Sequence, residues 1–146
     1  MESITNHDIT PAFYGMHLGR IQAHGSIQRG LMTQSLIKPV GRMFYLQRCG
    51  VALDPASAGV FSHPACHTAP ARVFSTDTFL HVSGGWHDAG DYGRYVVPAC
   101  KAVADLLLAV RAAPEAFGDD WDIPESGNGV ADVLYEVRFE LEWLLK

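Results

Sequence analysis

Long apolar runs are missing: no stretch approaches the roughly 18 to 20 residues that a membrane helix needs. The opening MESITNHDIT has neither a basic flank nor an apolar core, so it predicts no export signal. Charge is sparse at 18% of residues and its balance is −5, which argues against nucleic acid or an anionic membrane as partner. The apolar fraction of 48% excludes a disordered tail and leaves a neutral or weakly charged substrate as the better fit. Cysteine is scarce and odd in number: Cys49, Cys66 and Cys100 cannot all pair, so at least one thiol is free or bound to metal. Strand-like alternation is also absent, while 146 residues suffice for one domain or part of one.

What is present is helical. Residues 1–36 are polar, carry His7, His17 and His24, and receive no function. The run Ile37 to Gly50 predicts a short helix, with Pro39 in its first turn and Val40, Met43, Phe44 and Leu46 apolar. Residues 51–85 are punctuated by Pro55, Gly59, Pro64, Pro70 and a Gly84-Gly85 pair, which predicts a long ordered loop. A second helix is expected from about Tyr92–Pro98 to Ala113, apolar on most sides and so covered by other helices. After the loop PEAFGDDWDIPESGNG, capped by Asn128, a third helix carries the stripe Val130, Val133, Leu134, Val137, Leu141, Leu144 and Leu145. Glu136, Glu140 and Glu142 then mark its wet side. The stripe runs on to Lys146 without a stop signal, which predicts an all-α architecture completed by further helices.

The densest chemistry is SGGWHDAGDYGRYVV, residues 83–97. Asp88 and Asp91 lie three apart in a glycine-punctuated loop entering a helix. Such a pair can hold and deprotonate a water molecule; the alternative is that one of them merely caps the helix. Cys49, Cys66, His67 and His87 supply the thiolates and imidazoles of a closed zinc site, with a disulfide or buried thiols as the alternatives. His63 and His81 are read as loop histidines, and Cys100 as a small core residue. Glu125, Asn128 and Asp132 offer oxygen ligands for calcium near a loop-to-helix junction, or else an ordinary helix start. Trp86, Tyr92, Tyr95 and Trp121 are sugar-stacking candidates that core positions explain equally; Phe139 and Trp143 read as interhelical packing.

GGWHDAGDYGRYVV and IPESGNGVADVLYEVRFELEWLL resemble, in order, the aspartate signature and following stretch of glycoside hydrolase family 9. FYLQRCG and FSHPACHTA are similar to the start of its bacterial members that carry an immunoglobulin-like domain, a domain not recognisable in residues 1–36. The resemblance covers about residues 38–146 and makes 37–146 the amino-terminal portion of a catalytic domain. It implies a partial (α/α)6 barrel cleaving β-1,4 bonds of cellulose or related glucans with inversion, outside the cell or in the periplasm. Asp91 would be the general base, Asp88 would position its water, and Cys49, Cys66, His67 and His87 would hold structural zinc. Calcium is also bound in the family. The general acid would be a late glutamate, beyond Lys146, about 6.5–9.5 Å from the base in the assembled site. Glu125, Glu136, Glu140 and Glu142 are not read as substitutes for it. The isolated chain is therefore expected to be inactive, and the remaining barrel to be its partner. Two alternatives stay open: a zinc-stabilised remnant without turnover, and the same fold acting on short glucosides or glucosamine oligomers.

Overall fold

The computed structural model describes residues 27–146, with side chains from 36 onward. His7, His17 and His24 lie outside that range. Helix α1 spans Ile27–Leu46, α2 Pro55–Ala58, α3 Val96–Ala112 and α4 Asp132–Leu144. Short 3-10 turns occupy Gly59–Phe61 and Pro114–Ala116. Strands β1 (Ala71–Arg72) and β2 (Phe79–Leu80) pair antiparallel within the long loop, with Ala71 opposite Leu80. The all-α expectation holds, with this small hairpin added.

Helix α1 corrects the expected boundaries at both ends. It begins by Ile27, so Pro39 sits inside it, and it stops at Leu46. A proline mid-helix removes one backbone donor and crowds the preceding turn, a cost that tertiary packing offsets here. Ile37 and Tyr45 of α1 enter the core, together with Leu53, Val103, Leu106, Phe117, Trp121, Ile123, Val133 and Val137. Gly41 explains the close approach of Trp121: a Cβ at that position would lie 2.4 Å from the indole ring. Trp121 is accordingly a core residue, 1% exposed, and not a sugar platform.

Helix α3 packs on α4 through Val103, Leu106 and Ala109. Its other faces are not covered by the described residues: Val97, Leu107 and Leu108 are exposed, and so is Cys100. Cys100 is thus not the core residue its apolar neighbours suggested. Among the described residues α4 shields one face of α3, and the expectation that further helices cover the others concerns chain beyond them.

The larger correction concerns α4. Glu136 and Glu140, assigned to the wet side, are 0% exposed, whereas Leu134, Leu141 and Leu145 reach the surface. The inward stripe is Asp132, Val133, Glu136, Val137 and Glu140, flanked by the partly buried Tyr135, Phe139 and Leu144. The helix is rotated relative to the all-apolar stripe because its acidic side chains have buried donors to meet. Its amino-terminal cap is Ala131, with no side-chain bond, in place of Asn128. Asn128 instead closes its own loop, Oδ1 accepting from Val130 N at 3.0 Å and Nδ2 donating to Tyr135 Oη at 2.8 Å.

Candidate functional site

Directly after α1 the chain becomes extended and meets the glycine pair. Cys49 N donates to Gly85 O at 2.7 Å and His87 N donates to Gln47 O at 2.8 Å, forming an antiparallel bridge in which Arg48 faces Trp86. Gly85 is required at this crossing. Its φ is +76°, and a Cβ there would lie 2.6 Å from the Trp143 ring. The bridge places Cys49 and His87 side by side, and the long loop brings Cys66 and His67 back to them.

The four predicted ligands therefore converge, their donor atoms all within 4.8 Å of one another. Cys49 Sγ lies 3.7 Å from Cys66 Sγ and 3.4 Å from His67 Nδ1; Cys66 Sγ lies 3.4 Å from His87 Nε2. A tetrahedron built on Zn–S of about 2.3 Å and Zn–N of about 2.0–2.1 Å has edges of roughly 3.8 Å (S to S) and 3.6 Å (S to N). These three separations suit a metal ion of that size, and the two thiols are unbonded, with their sulfurs farther apart than a disulfide. His67 adopts a left-handed backbone (φ 49°), an uncommon conformation that the convergence imposes.

Electrostatics agree with that donor set. Burial lowers the His87 pKa, helped by His67, His63 and Arg94, which keeps the imidazole in the neutral, ligating form. Burial and the Cys66 thiol push Cys49 up to about 11. A divalent cation supplies the charge that turns such a thiol into a thiolate. His63 and His81 stand outside the cluster, as expected.

One residue beyond His87 comes the aspartate turn. Asp88 N donates to Gly93 O at 2.8 Å and Tyr92 N to Ala89 O at 3.0 Å, with Tyr92 left-handed at φ 56°. Both aspartates are exposed. Asp91 Oδ1 accepts from Gly93 N at 2.9 Å and Oδ2 from the Tyr95 hydroxyl at 2.9 Å. These two bonds, the backbone one first, lower the Asp91 pKa, so its carboxylate is ionised at neutral pH. The Tyr95 pKa rises in turn, through its bond to Asp91, the charge of Asp91 and, last, that of Asp88. Neither aspartate caps α3, whose cap Tyr95 has no side-chain bond to the helix. Asp88 lines a cleft of about 190 Å³ together with Gln47, Trp86, His87, Tyr95 and Glu140. Tyr92 and Tyr95 remain exposed beside it, while Trp86 is buried.

Sequence reasoning passed over the polar knot behind this loop. Arg48, 6% exposed, points both guanidinium amines at Glu125, 2.9 Å and 3.2 Å away, and lies 3.0 Å from Glu136. The guanidinium is also flanked by the Tyr45 and Phe139 rings. Trp86 Nε1 donates to Glu136 at 3.2 Å and Trp86 N to Glu140 at 2.6 Å. Burial raises both carboxyls to about 7, against the pull of Arg48 on Glu136 and of the Trp86 N–H on Glu140. A visible signal did exist: Tyr135, Phe139 and Trp143 recur every four residues beside the glutamates, and three aromatics seldom occupy a wet face.

The three calcium candidates each hold other partners, though Asp132 Oδ1 is buried with none. Glu125 faces Arg48, Asn128 closes its loop, and Asp132 Oδ2 accepts from Trp121 N at 2.6 Å and from the Ser126 hydroxyl at 2.7 Å.

Comparison with known proteins agrees with the sequence resemblance. Glycosyl hydrolase family 9 matches residues 34–146. A cellodextrinase of Butyrivibrio fibrisolvens is 42% identical over 116 residues, covering 76% of this chain and 21% of its own. Endoglucanase C of Cellulomonas fimi is 49% identical over 140 residues, with 80% and 13% covered. Among solved structures, a single-mutant thermostable endoglucanase from Alicyclobacillus acidocaldarius superposes with a TM-score of 0.69 at 43% identity. It covers 77% of this chain and 22% of that one. The chain thus spans about a fifth or less of the length of these relatives.

Proposed function

The chain belongs to glycosyl hydrolase family 9, and from that premise we propose that it supplies the water-activating half of a β-1,4-glucan hydrolase. The observation that carries this reading is the Asp91 carboxylate. It is exposed, held on both oxygens by Gly93 N–H and the Tyr95 hydroxyl, and mounted three residues from a second exposed aspartate. An ionised carboxylate fixed in this way takes a proton from water as the water attacks the sugar carbon, and Asp88 holds the same water by a second bond. Attack from the face opposite the leaving oxygen inverts the anomeric carbon.

Protonation of the leaving oxygen falls to a carboxyl of the remaining barrel. Glu125, Glu136 and Glu140 are committed to Arg48 and Trp86 and do not serve. Zinc at Cys49, Cys66, His67 and His87 is structural in this scheme: all four protein donors close the tetrahedron and leave no open position for water. Its role is to anchor His87 and thereby the turn that begins at Asp88. Cellulose or a related β-glucan is the substrate, and a polymer of that size places the reaction outside the cell or in the periplasm. No described helix is long and apolar enough to cross a membrane.

The test is hydrolysis of cello-oligosaccharides by the whole protein carrying this segment, followed by proton NMR of the anomeric products. The α-anomer should form first, and Asp91→Asn should slow its formation about 10²- to 10⁴-fold. Initial β-anomer, or an Asp91→Asn variant with undiminished turnover, would end the proposal.

A further inference from the structure

The Arg48–Trp86 bridge is a two-stranded ribbon of minimal length, and such a ribbon is not stable alone. Its inner hydrogen bonds join Cys49 N to Gly85 O and His87 N to Gln47 O. The Trp86 N–H points away from that pair, toward α4, where a third strand would present a carbonyl. Glu140 Oε2 occupies the place of that carbonyl, 2.6 Å from the nitrogen. One helical turn earlier, Glu136 Oε2 takes the indole N–H of the same residue at 3.2 Å and the Arg48 Nε at 3.3 Å. The two carboxyls therefore grip both members of the bridge.

We propose that Glu140, assisted by Glu136, is the positioning group of the catalytic loop: it fixes the Trp86 backbone, and through it His87 as a metal ligand and Asp88 as a water-holding carboxylate. Glu140 is not one of the four clustered metal-ligand candidates and acts through Trp86. Two observations distinguish this role from ordinary helix packing. First, a fully buried carboxyl is a costly way to fill space; a leucine would pack at less expense unless the Trp86 N–H needed an acceptor. Second, Glu140 lines the same cleft as Asp88 and His87, and its Oε1 finds no protein partner. The carboxyl is held by one bond, to the residue just before the ligand. Rigid support of this kind raises ligand affinity by restricting where the imidazole points.

The inference rests on reading the four side chains as a metal centre, and its test uses no hydrolysis, so a failure of the glucanase assignment is separable from a failure here. Cobalt(II) serves as the probe, because tetrahedral thiolate–imidazole coordination gives intense visible bands. The 146-residue chain and its variants Glu140→Ala, Glu140→Asp, Glu140→Gln and Glu142→Gln are titrated with cobalt, and exchange of the Trp86 and His87 amide protons is followed by NMR. Glu140→Ala and Glu140→Asp should weaken cobalt binding by about 10-fold or more, change the visible bands and speed exchange at both amides. Glu140→Gln keeps an acceptor and should stay within about 3-fold of the parent, while Glu142→Gln, exposed on the same helix, should match it. If Glu140→Ala does not fold by circular dichroism, the Asp and Gln variants decide. Wild-type cobalt affinity and wild-type exchange in Glu140→Asp would overturn the proposal. If the parent chain itself bound no cobalt, the metal reading would fall separately, and the two amides would decide: faster exchange supports the positioning role, unchanged exchange refutes it.

Discussion

The bridge at Arg48–Trp86 and the aspartate turn at residues 88–93 adjoin in sequence, yet they are built by opposite means. The bridge is buried and tied by long-range contacts: Glu136 reaches Arg48 and Trp86 across 88 and 50 residues, and Cys66 and His67 return from a distant loop. The turn is exposed and held by short-range contacts, through Gly93, Tyr95 and the edge-to-face contact of Tyr92 with the His87 ring at 5.0 Å. In the proposed role the two carboxylates meet water and a sugar and so cannot be buried, which leaves their aim to what stands behind them. Burial provides stiffness and exposure provides access, and His87 is the residue where one hands over to the other.

That contrast can be broken at several points. The largest effect is expected at the exposed end without loss of stability: Asp91→Asn in the whole protein should lower kcat about 10²- to 10⁴-fold with an unchanged melting temperature. Removing metal should do the reverse, acting on stability. Chelation, or Cys49→Ser, should lower Tm by roughly 10 °C, as calorimetry of the 146-residue chain can show. Gly41→Ala drives a methyl into the Trp121 ring and should cost about 1–3 kcal/mol in urea unfolding.

Smaller still is the titration of Glu140, whose carboxyl is raised to about 7 from 4.5. Between those values the folded chain keeps a proton that the unfolded chain releases, so this group's contribution to stability falls as pH rises. Against Glu140→Gln, the parent should lose on the order of 1 kcal/mol more between pH 4.5 and 7 in parallel denaturation curves. The smallest change sharpens the exposed end: Tyr95→Phe removes one bond that holds Asp91 ionised. The acid limb of the kcat/KM profile should then move to higher pH, with little change at its plateau.

The glycine-punctuated turn, the convergence of Cys49, Cys66, His67 and His87, and helix α3 are legible in the sequence because each is carried by a short stretch of strong chemistry, a family resemblance or a clear period. The four ligands were named from residue type, and the resemblance placed them together. What stayed hidden is what depends on distant partners. Glu136 and Glu140 look like solvent-facing residues until Arg48 and Trp86 are brought against them; the aromatics at 135, 139 and 143 hint that this face is covered, but not by which partners. The start of α1 was missed because Pro39 reads as a first-turn residue, whereas the helix carries it in mid-course. Cys100 reads as a core residue because its neighbours are apolar, whereas among the described residues only the Val103–Leu106–Ala109 face of α3 is buried.

The central claim is that Cys49, Cys66, His67 and His87 form one metal centre from which the catalytic turn extends. Zinc content by mass spectrometry, on the purified 146-residue chain dialysed against excess zinc and then buffer, tests it most directly. One zinc per chain, lost in Cys49→Ser, is the predicted result; a chain that retains no zinc would contradict it.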